Sequence, residues 1–213
     1  MIKGYAKVDD NHFDLLNSHL KVSHETYEKL STYHDLLIKW QSKINLISND
    51  TVSDIWSRHI LDSLQLVPHI PSLDNTMMDI GTGAGFPGMA LAIYGYNNIH
   101  LVESDGKKIV FLREVSRVTN SPVTIHHQRV EQVEIPKCDI ILSRACSDLN
   151  KLLNLSIKNV SHETTSLFHK GKNYSIEIED AKKHWSFDHE ITKSITDPNG
   201  VIVKLSNICR RTS

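Results

Sequence analysis

Four stretches of the chain carry residue types suited to chemistry. The first is Asp79-Ile80-Gly81-Thr82-Gly83-Ala84-Gly85-Phe86-Pro87-Gly88, directly after the apolar Met77-Met78. Glycines at Gly81, Gly83 and Gly85 let the backbone turn at positive φ and let a ligand approach the main chain closely. Pro87 suits the first turn of a following helix. Gly83 to Gly88 formally matches the dinucleotide pattern GxGxxG. That pattern starts where a strand ends, here at Gly81, and Phe86 then stands in the third glycine's place. Asp79, just before the loop, suits an ammonium or an ordered water better than a pyrophosphate. The second stretch ends at Glu103, a carboxylate able to accept hydrogen bonds from both hydroxyls of a ribose. The third is Gln128-Arg129-Val130-Glu131, where a backbone can flank an adenine. The fourth is Ser143-Arg144-Ala145. Arg144 is always charged and offers a planar fork of five donors, suited to a phosphate, a guanine edge or a carboxylate.

These stretches must be held together by a sheet. From residue 77 the chain alternates short apolar runs with helical segments: strands over 77–80, 99–103, 123–127, 139–143 and 166–169, and helices over 87–94, 107–119, 149–160 and 174–185. Asp197-Pro198-Asn199-Gly200, between the β-rich runs 186–196 and 201–208, predicts a closing hairpin. Strand–helix alternation followed by a hairpin implies an α/β fold, a mostly parallel seven-stranded sheet with helices on both faces. Ligands in such sheets bind at the carboxyl ends of the strands, where all four stretches fall. Residues 1–76 read as helical, with Ser23 capping a helix through Tyr27, Leu30, Tyr33, Leu37 and Trp40, and a second helix over 53–66. The chain thus divides into an N-terminal helical extension, 1–76, and a main domain, 77–213. The spacing of Tyr33, Trp40 and Trp56 favours core packing over stacking on bases.

Composition excludes several classes. With 39% hydrophobic and 23% charged residues the chain is not disordered. No apolar run reaches the ~18 residues that span a bilayer, and residues 1–20 lack the apolar centre of a signal peptide. Three scattered cysteines fit a reducing compartment, so a cytoplasmic protein is expected. Thirteen histidines suggest metal, but neither HExxH nor CxxC occurs, and the adjacent His126 and His127 point to opposite faces of a strand; no metal site is expected. The net charge of −1 argues against bulk attraction to nucleic acid. It is unevenly spread: residues 1–76 hold 7 basic and 10 acidic groups, 77–176 hold 11 and 9, and 177–213 hold 6 and 6. The small positive excess coincides with the glycine loop and the strand ends, which suits binding of one structured site.

Asp-x-Gly-x-Gly-x-Gly resembles the first motif of class I S-adenosylmethionine methyltransferases, whose Rossmann-like fold matches the element order above. More specifically, several stretches occur in order: Arg58-His59-Ile60-Leu61-Asp62-Ser63, the Gly-Phe-Pro-Gly ending at Gly88, Glu103 with Lys107-Lys108, Arg129-Val130-Glu131, Ser143-Arg144-Ala145 and Lys170-Gly171. Together they resemble the small-subunit rRNA methyltransferase G family (RsmG, or GidB), over about residues 43–172. The resemblance implies an enzyme using S-adenosylmethionine to methylate N7 of one guanine in 16S rRNA, at position 527 of the conventional rRNA numbering. It implies cofactor contacts at Gly81, Phe86, Val130, Glu131 and Arg144, with Glu103 as the ribose-binding acid. Thr82 stands where the family often has serine, and residues 161–165 lack the glycine usual before the Lys-Gly strand.

Guanine N7 carries a free lone pair, so no general base is required, and Arg144 is assigned to positioning. Alignment of the reacting atoms can supply ~7–11 kcal/mol of such a barrier. N7 lies in the deep groove of A-form RNA, so the target must be splayed out or in a loop. Candidate RNA contacts are Arg58, His59, Lys107, Lys108, Arg129, Lys170, Lys172, Arg210 and Arg211. The expected partner is 16S rRNA or the 30S subunit, bound by a monomer. The alternatives are a methyltransferase of a small-molecule or protein substrate, a nicotinamide oxidoreductase using Gly83 to Gly88, and an RNA-binding protein that retains the pocket without turnover.

Overall fold

The computed structural model describes residues 10–135, 137–144 and 147–211. Seven strands form one sheet: β1 (Thr76–Ile80), β2 (Asn98–Glu103), β3 (Thr124–His127), β4 (Ile140–Arg144), β5 (Thr165–Lys170), β6 (Trp185–Lys193) and β7 (Val201–Arg210). Their order is β3-β2-β1-β4-β5-β7-β6. β1 to β5 run parallel, and β7 pairs antiparallel with β5 and β6. The strand order reverses between β1 and β4, which opens a crevice at their carboxyl ends. Both strands are buried on both faces, as near-continuous apolar runs demand.

Alternation along the strands sends neighbours to opposite cores. Met77, Leu101 and Leu142 join one cluster, and Met78, Val102 and Ile141 the other. The first cluster is closed by α1 (Asp10–Asn17), α2 (His24–Gln41), α3 (Asp62–Leu64), α4 (Gly88–Tyr94) and α5 (Gly106–Thr119). The second is closed by α6 (Leu149–Ser156) and α7 (Tyr174–Lys182). Residues 10–76 therefore supply part of one core layer: Leu30, Tyr33 and Leu37 of α2 are fully buried in the cluster that holds Met89 and Phe111. Ser23 caps α2, its hydroxyl accepting from the Thr26 amide at 3.1 Å.

Two elements differ from the sequence reading. The helix expected over 53–66 is a 3-10 turn (Asn49–Asp54), a wide π-type turn (Trp56–Leu61) and the short α3. The Ser63 hydroxyl bonds back to the His59 carbonyl at 2.7 Å within it. Such wide turns recur at functional sites, and this one aims Arg58, His59 and Asp62 at the crevice. The helix expected to reach residue 185 ends at Lys182, because Trp185 is buried as the first residue of β6.

Candidate active site

The glycine loop leaves β1 at Gly81 (φ 65°) and passes through Gly83 (φ 61°) and Gly85 (φ 102°). Asp79 anchors it from below. Its Oδ2 accepts from the Thr82 hydroxyl at 2.6 Å and the Gly88 amide at 2.9 Å. A side chain at Gly88 would run into Leu101 and Asp79 itself, so only glycine starts α4 there. Asp79 is fully buried, and burial pushes its carboxyl up to about 6 against those hydrogen bonds. Its Oδ1 has no hydrogen-bond partner among the described residues. A buried carboxylate oxygen without a donor is costly alone and suits an incoming ammonium.

Glu103 stands at the end of β2. Its carboxylate accepts from the amides of Gly83 (3.1 Å), Ser104 (2.7 Å) and Asp105 (2.8 Å), which fixes its orientation toward the loop. Beside it lies a cavity of about 250 Å³, lined by Gly81, Val102, Glu103, Gln128, Val130 and Glu131 among others. The orphaned Asp79 oxygen, the fixed Glu103 and a cavity with an apolar wall fit a nucleoside that carries an amino-acid tail. Gly85 also has a packing task. A Cβ there would meet Tyr33 Oη at 2.8 Å and Met89 Cβ at 2.7 Å, so Gly85 makes room for α2 against the loop. The Tyr33 hydroxyl then donates to the Ala84 carbonyl at 2.6 Å. Phe86 is buried too, stacked on Tyr33 (5.1 Å between centroids) and lying under the Arg144 guanidinium at 4.9 Å.

Arg144, at the end of β4, joins the sheet to the N-terminal layer. It donates to the Arg58 carbonyl (3.0 Å), Asp62 Oδ2 (3.2 Å) and His59 Nδ1 (2.8 Å). An arginine only donates, so His59 Nδ1 must accept and its Nε2 must carry the proton. That proton goes to the Thr51 hydroxyl at 2.8 Å, which donates in turn to the Ser48 carbonyl at 2.8 Å. Burial, then the nearby Arg144 charge, pushes His59 down to about 3, so the ring is neutral. Asp62 also accepts from Thr196 and Gln65. Burial opposes its ionisation, but His169 and Arg144 outweigh that and hold its carboxyl below the usual value. His169 donates through Nε2 to the Asp62 carbonyl at 2.7 Å. These side chains line a second cavity of about 410 Å³ with Leu46, Ile47, Gly171 and Val201. Arg144 lines this cavity and Ser147 the smaller one.

The expected RNA contacts divide. Lys107 and Lys172 are exposed, Lys108 half-buried, and Arg129 exposed at the smaller cavity. Arg58, 38% exposed, lines the larger cavity. Three expectations differ from the structure. His59 is buried and neutral, with both nitrogens committed inside the protein. Lys170 is buried in an ion pair with Glu177 at 2.8 Å. Arg210 and Arg211 lie at the opposite end of the molecule: β7 is antiparallel, Val201 pairs with the end of β5, and Arg210 pairs with Trp185. Nine residues of strand separate Arg210 from the crevice, roughly 30 Å at ~3.3 Å each. Asp62, Thr51 and His169 were missed as site residues. Asp62 had a signal, standing four residues after Arg58, but its partners come from β4 and the β6–β7 turn. Among the described residues no group of three or more His, Cys, Asp or Glu side chains is placed to hold a metal ion. His126 instead faces His100 of the neighbouring strand, nitrogen to nitrogen at 2.9 Å.

Solved structures of similar shape share the fold. The chain aligns with ribosomal protein L11 methylase from Lactobacillus delbrueckii subsp. bulgaricus at a TM-score of 0.58 and 13% identity, covering 73% of this chain and 79% of that one. It aligns with M. jannaschii TYW2 in complex with AdoMet at 0.57 and 16% identity, covering 80% of each chain. The fold is that of class I S-adenosylmethionine-dependent methyltransferases. Sequence relatives are closer. Ribosomal RNA small subunit methyltransferase G of Paramagnetospirillum magneticum is 44% identical, over 89% of this chain and 92% of its own. That of Rickettsia prowazekii is 43% identical, over 90% and 99%. The family model GidB, rRNA small subunit methyltransferase G, matches residues 26–203, and the chain belongs to this family.

Proposed function

We propose that the protein transfers a methyl group from S-adenosylmethionine to N7 of a single guanine of 16S rRNA, at position 527. Family membership across residues 26–203 is the observation that carries this reading. In it, Asp79 takes the cofactor's ammonium, Glu103 its ribose, and Gly81, Val130 and Glu131 wall its base. Bound there, the cofactor supplies an electrophilic methyl whose sulfur keeps the electron pair of the broken bond. Arg144 positions the acceptor, with Phe86 beneath its guanidinium. The exposed Lys107, Arg129 and Lys172 and the half-buried Lys108 meet phosphates, each weakly and salt-dependently. Among the described residues no helix is long and apolar enough to cross a membrane. The partner is 16S rRNA, free or within the 30S subunit, met by a monomer in the cytoplasm.

The test is methylation of unmodified 16S rRNA and of 30S subunits with labelled S-adenosylmethionine, followed by borohydride–aniline scission. One cut at guanine 527 is expected. Label confined to a small molecule or a protein, or RNA binding without turnover, would overturn the reading.

A further inference from the structure

The cavity around Arg144 has a chemistry of its own. At about 410 Å³ it falls within the ~300–1,000 Å³ typical of small-ligand sites. Leu46, Ile47 and Val201 give it apolar surface, and Arg144 and Arg58 give it planar cations. Its ionisable and imidazole groups are committed except for the buried His169 Nδ1. Both His59 nitrogens have partners, His169 spends its Nε2 proton on the Asp62 carbonyl, and Asp62 serves Arg144, Thr196 and Gln65. Asp197 accepts from Arg58, and Lys170 is paired with Glu177. Among the described lining residues, the imidazole nitrogen left without a partner, His169 Nδ1, is buried away from the surface, so no accessible imidazole nitrogen stands ready to take a proton from a substrate. The cavity therefore suits an acceptor atom that already carries a lone pair.

Donors, by contrast, are left over. Arg144 has five N–H groups, and the contacts it makes with Arg58, Asp62 and His59 leave two for a ligand. Arg58 uses its guanidinium on the Thr196 carbonyl and, at 3.4 Å, on Asp197, and keeps further donors. An edge made of acceptors alone is the complement. Guanine presents N7 and O6, both acceptors, on one edge, whereas adenine presents N7 beside an N6 amine that would face these donors.

We infer that this cavity, walled by residues 46–62, the ends of β4 and β5 and the β6–β7 turn, seats the extruded target nucleotide and selects guanine through the unspent donors of Arg144 and Arg58 to O6. The inference rests on the proposed guanine-N7 reading and adds the seat and its selecting residues. A base buried in a groove cannot reach it, so the nucleotide must leave its stack, as in other enzymes that act on bases. The lone pair of N7 forms the new bond, the ring takes up the positive charge, and no proton moves.

Gly171 allows a test that leaves the cofactor cavity alone. It lines the larger cavity only, its φ is ordinary, and a Cβ there meets nothing within 4 Å. Gly171→Phe adds a phenyl ring at the cavity's lining where the backbone leaves room for it. Three readouts apply: S-adenosylmethionine affinity by calorimetry, methyl transfer to 30S subunits, and shifts of His59 and His169 ring signals on adding guanosine or adenosine 5′-monophosphate. The wild type should respond to the guanosine nucleotide at least tenfold more strongly than to the adenosine nucleotide. Gly171→Phe should keep cofactor affinity within twofold while losing at least tenfold in both transfer and nucleotide response. Normal transfer and nucleotide response in Gly171→Phe would overturn the inference. So would lost cofactor affinity in that variant, or an equal response to both nucleotides. Failure of the wild type to label 16S rRNA while the guanosine response persists would instead overturn the proposed function and leave the seat standing.

Discussion

Acidification should release Arg144 through His59. In the folded protein His59 is held at about 3 by burial and by the Arg144 charge, against an ordinary 6.5. A depressed pKa contributes stability above the unfolded value and loses it as pH falls toward the folded one. At pH 7.5 the neutral ring costs nothing. At pH 5 the unfolded chain has protonated its histidine and the folded chain has not, which removes about 2 kcal/mol from the folding free energy. Near pH 3 the loss reaches about 4 kcal/mol, at 1.36 kcal/mol per unit. His59→Gln isolates this contribution: an amide can accept from Arg144 and donate to Thr51, yet does not titrate. Urea unfolding at pH 7.5 and pH 5 should show the variant losing about 2 kcal/mol less than the wild type across that interval. Its transfer rate at pH 7.5 should stay within an order of magnitude of normal. Equal acid sensitivity of the two proteins, or a His59 ring that titrates above pH 6 by NMR, would refute the derived tautomer and the geometry behind it.

Asp79 behaves in the opposite sense. Its folded pKa, about 6, is raised above 3.8, so its contribution is fully present below 3.8 and is lost as pH rises through 6. Asp79→Asn should therefore be more stable than the wild type near pH 7 by thermal melting, while binding S-adenosylmethionine at least tenfold more weakly by calorimetry. Tyr33→Phe leaves the buried Ala84 carbonyl without its 2.6 Å donor and should lose about 1–3 kcal/mol in urea unfolding. Arg144→Lys keeps the charge but cannot reach the Arg58 carbonyl, Asp62 and His59 together; methyl transfer should fall at least tenfold with the circular dichroism spectrum unchanged.

The fold was largely legible in the chain. The apolar runs at Met77-Met78 and Ile140-Ile141-Leu142 are short, unbroken and spaced by amphipathic segments, and the structure pairs them as adjacent parallel strands. The closing hairpin also follows from local residues, since Asp197-Pro198-Asn199-Gly200 can only turn. The stretch 53–66 was less legible. Its apolar spacing fits a regular helix, but the partners of Arg58, His59 and Asp62 lie on β4 and in the 194–197 turn, and meeting them widens the turn. The N-terminal residues read as an extension because nothing local shows that Tyr33 reaches Ala84, 51 positions away.

By itself the sequence determined the glycine loop, the acids at Asp79 and Glu103, and the place of each at a strand end. These are local matters: a turn at positive φ, a small residue beneath a buried carboxylate, and an apolar run that stops. Only the tertiary structure decided which cations are free. Lys170 is drawn into the protein by Glu177 and Arg144 by Asp62, while Arg210 is carried to the far end by an antiparallel strand. A charge's availability depends on what folds against it, and here the deciding partners came from across the sheet. Burial then turned His59, by residue type a candidate RNA contact, into a neutral strut that holds Arg144 in place.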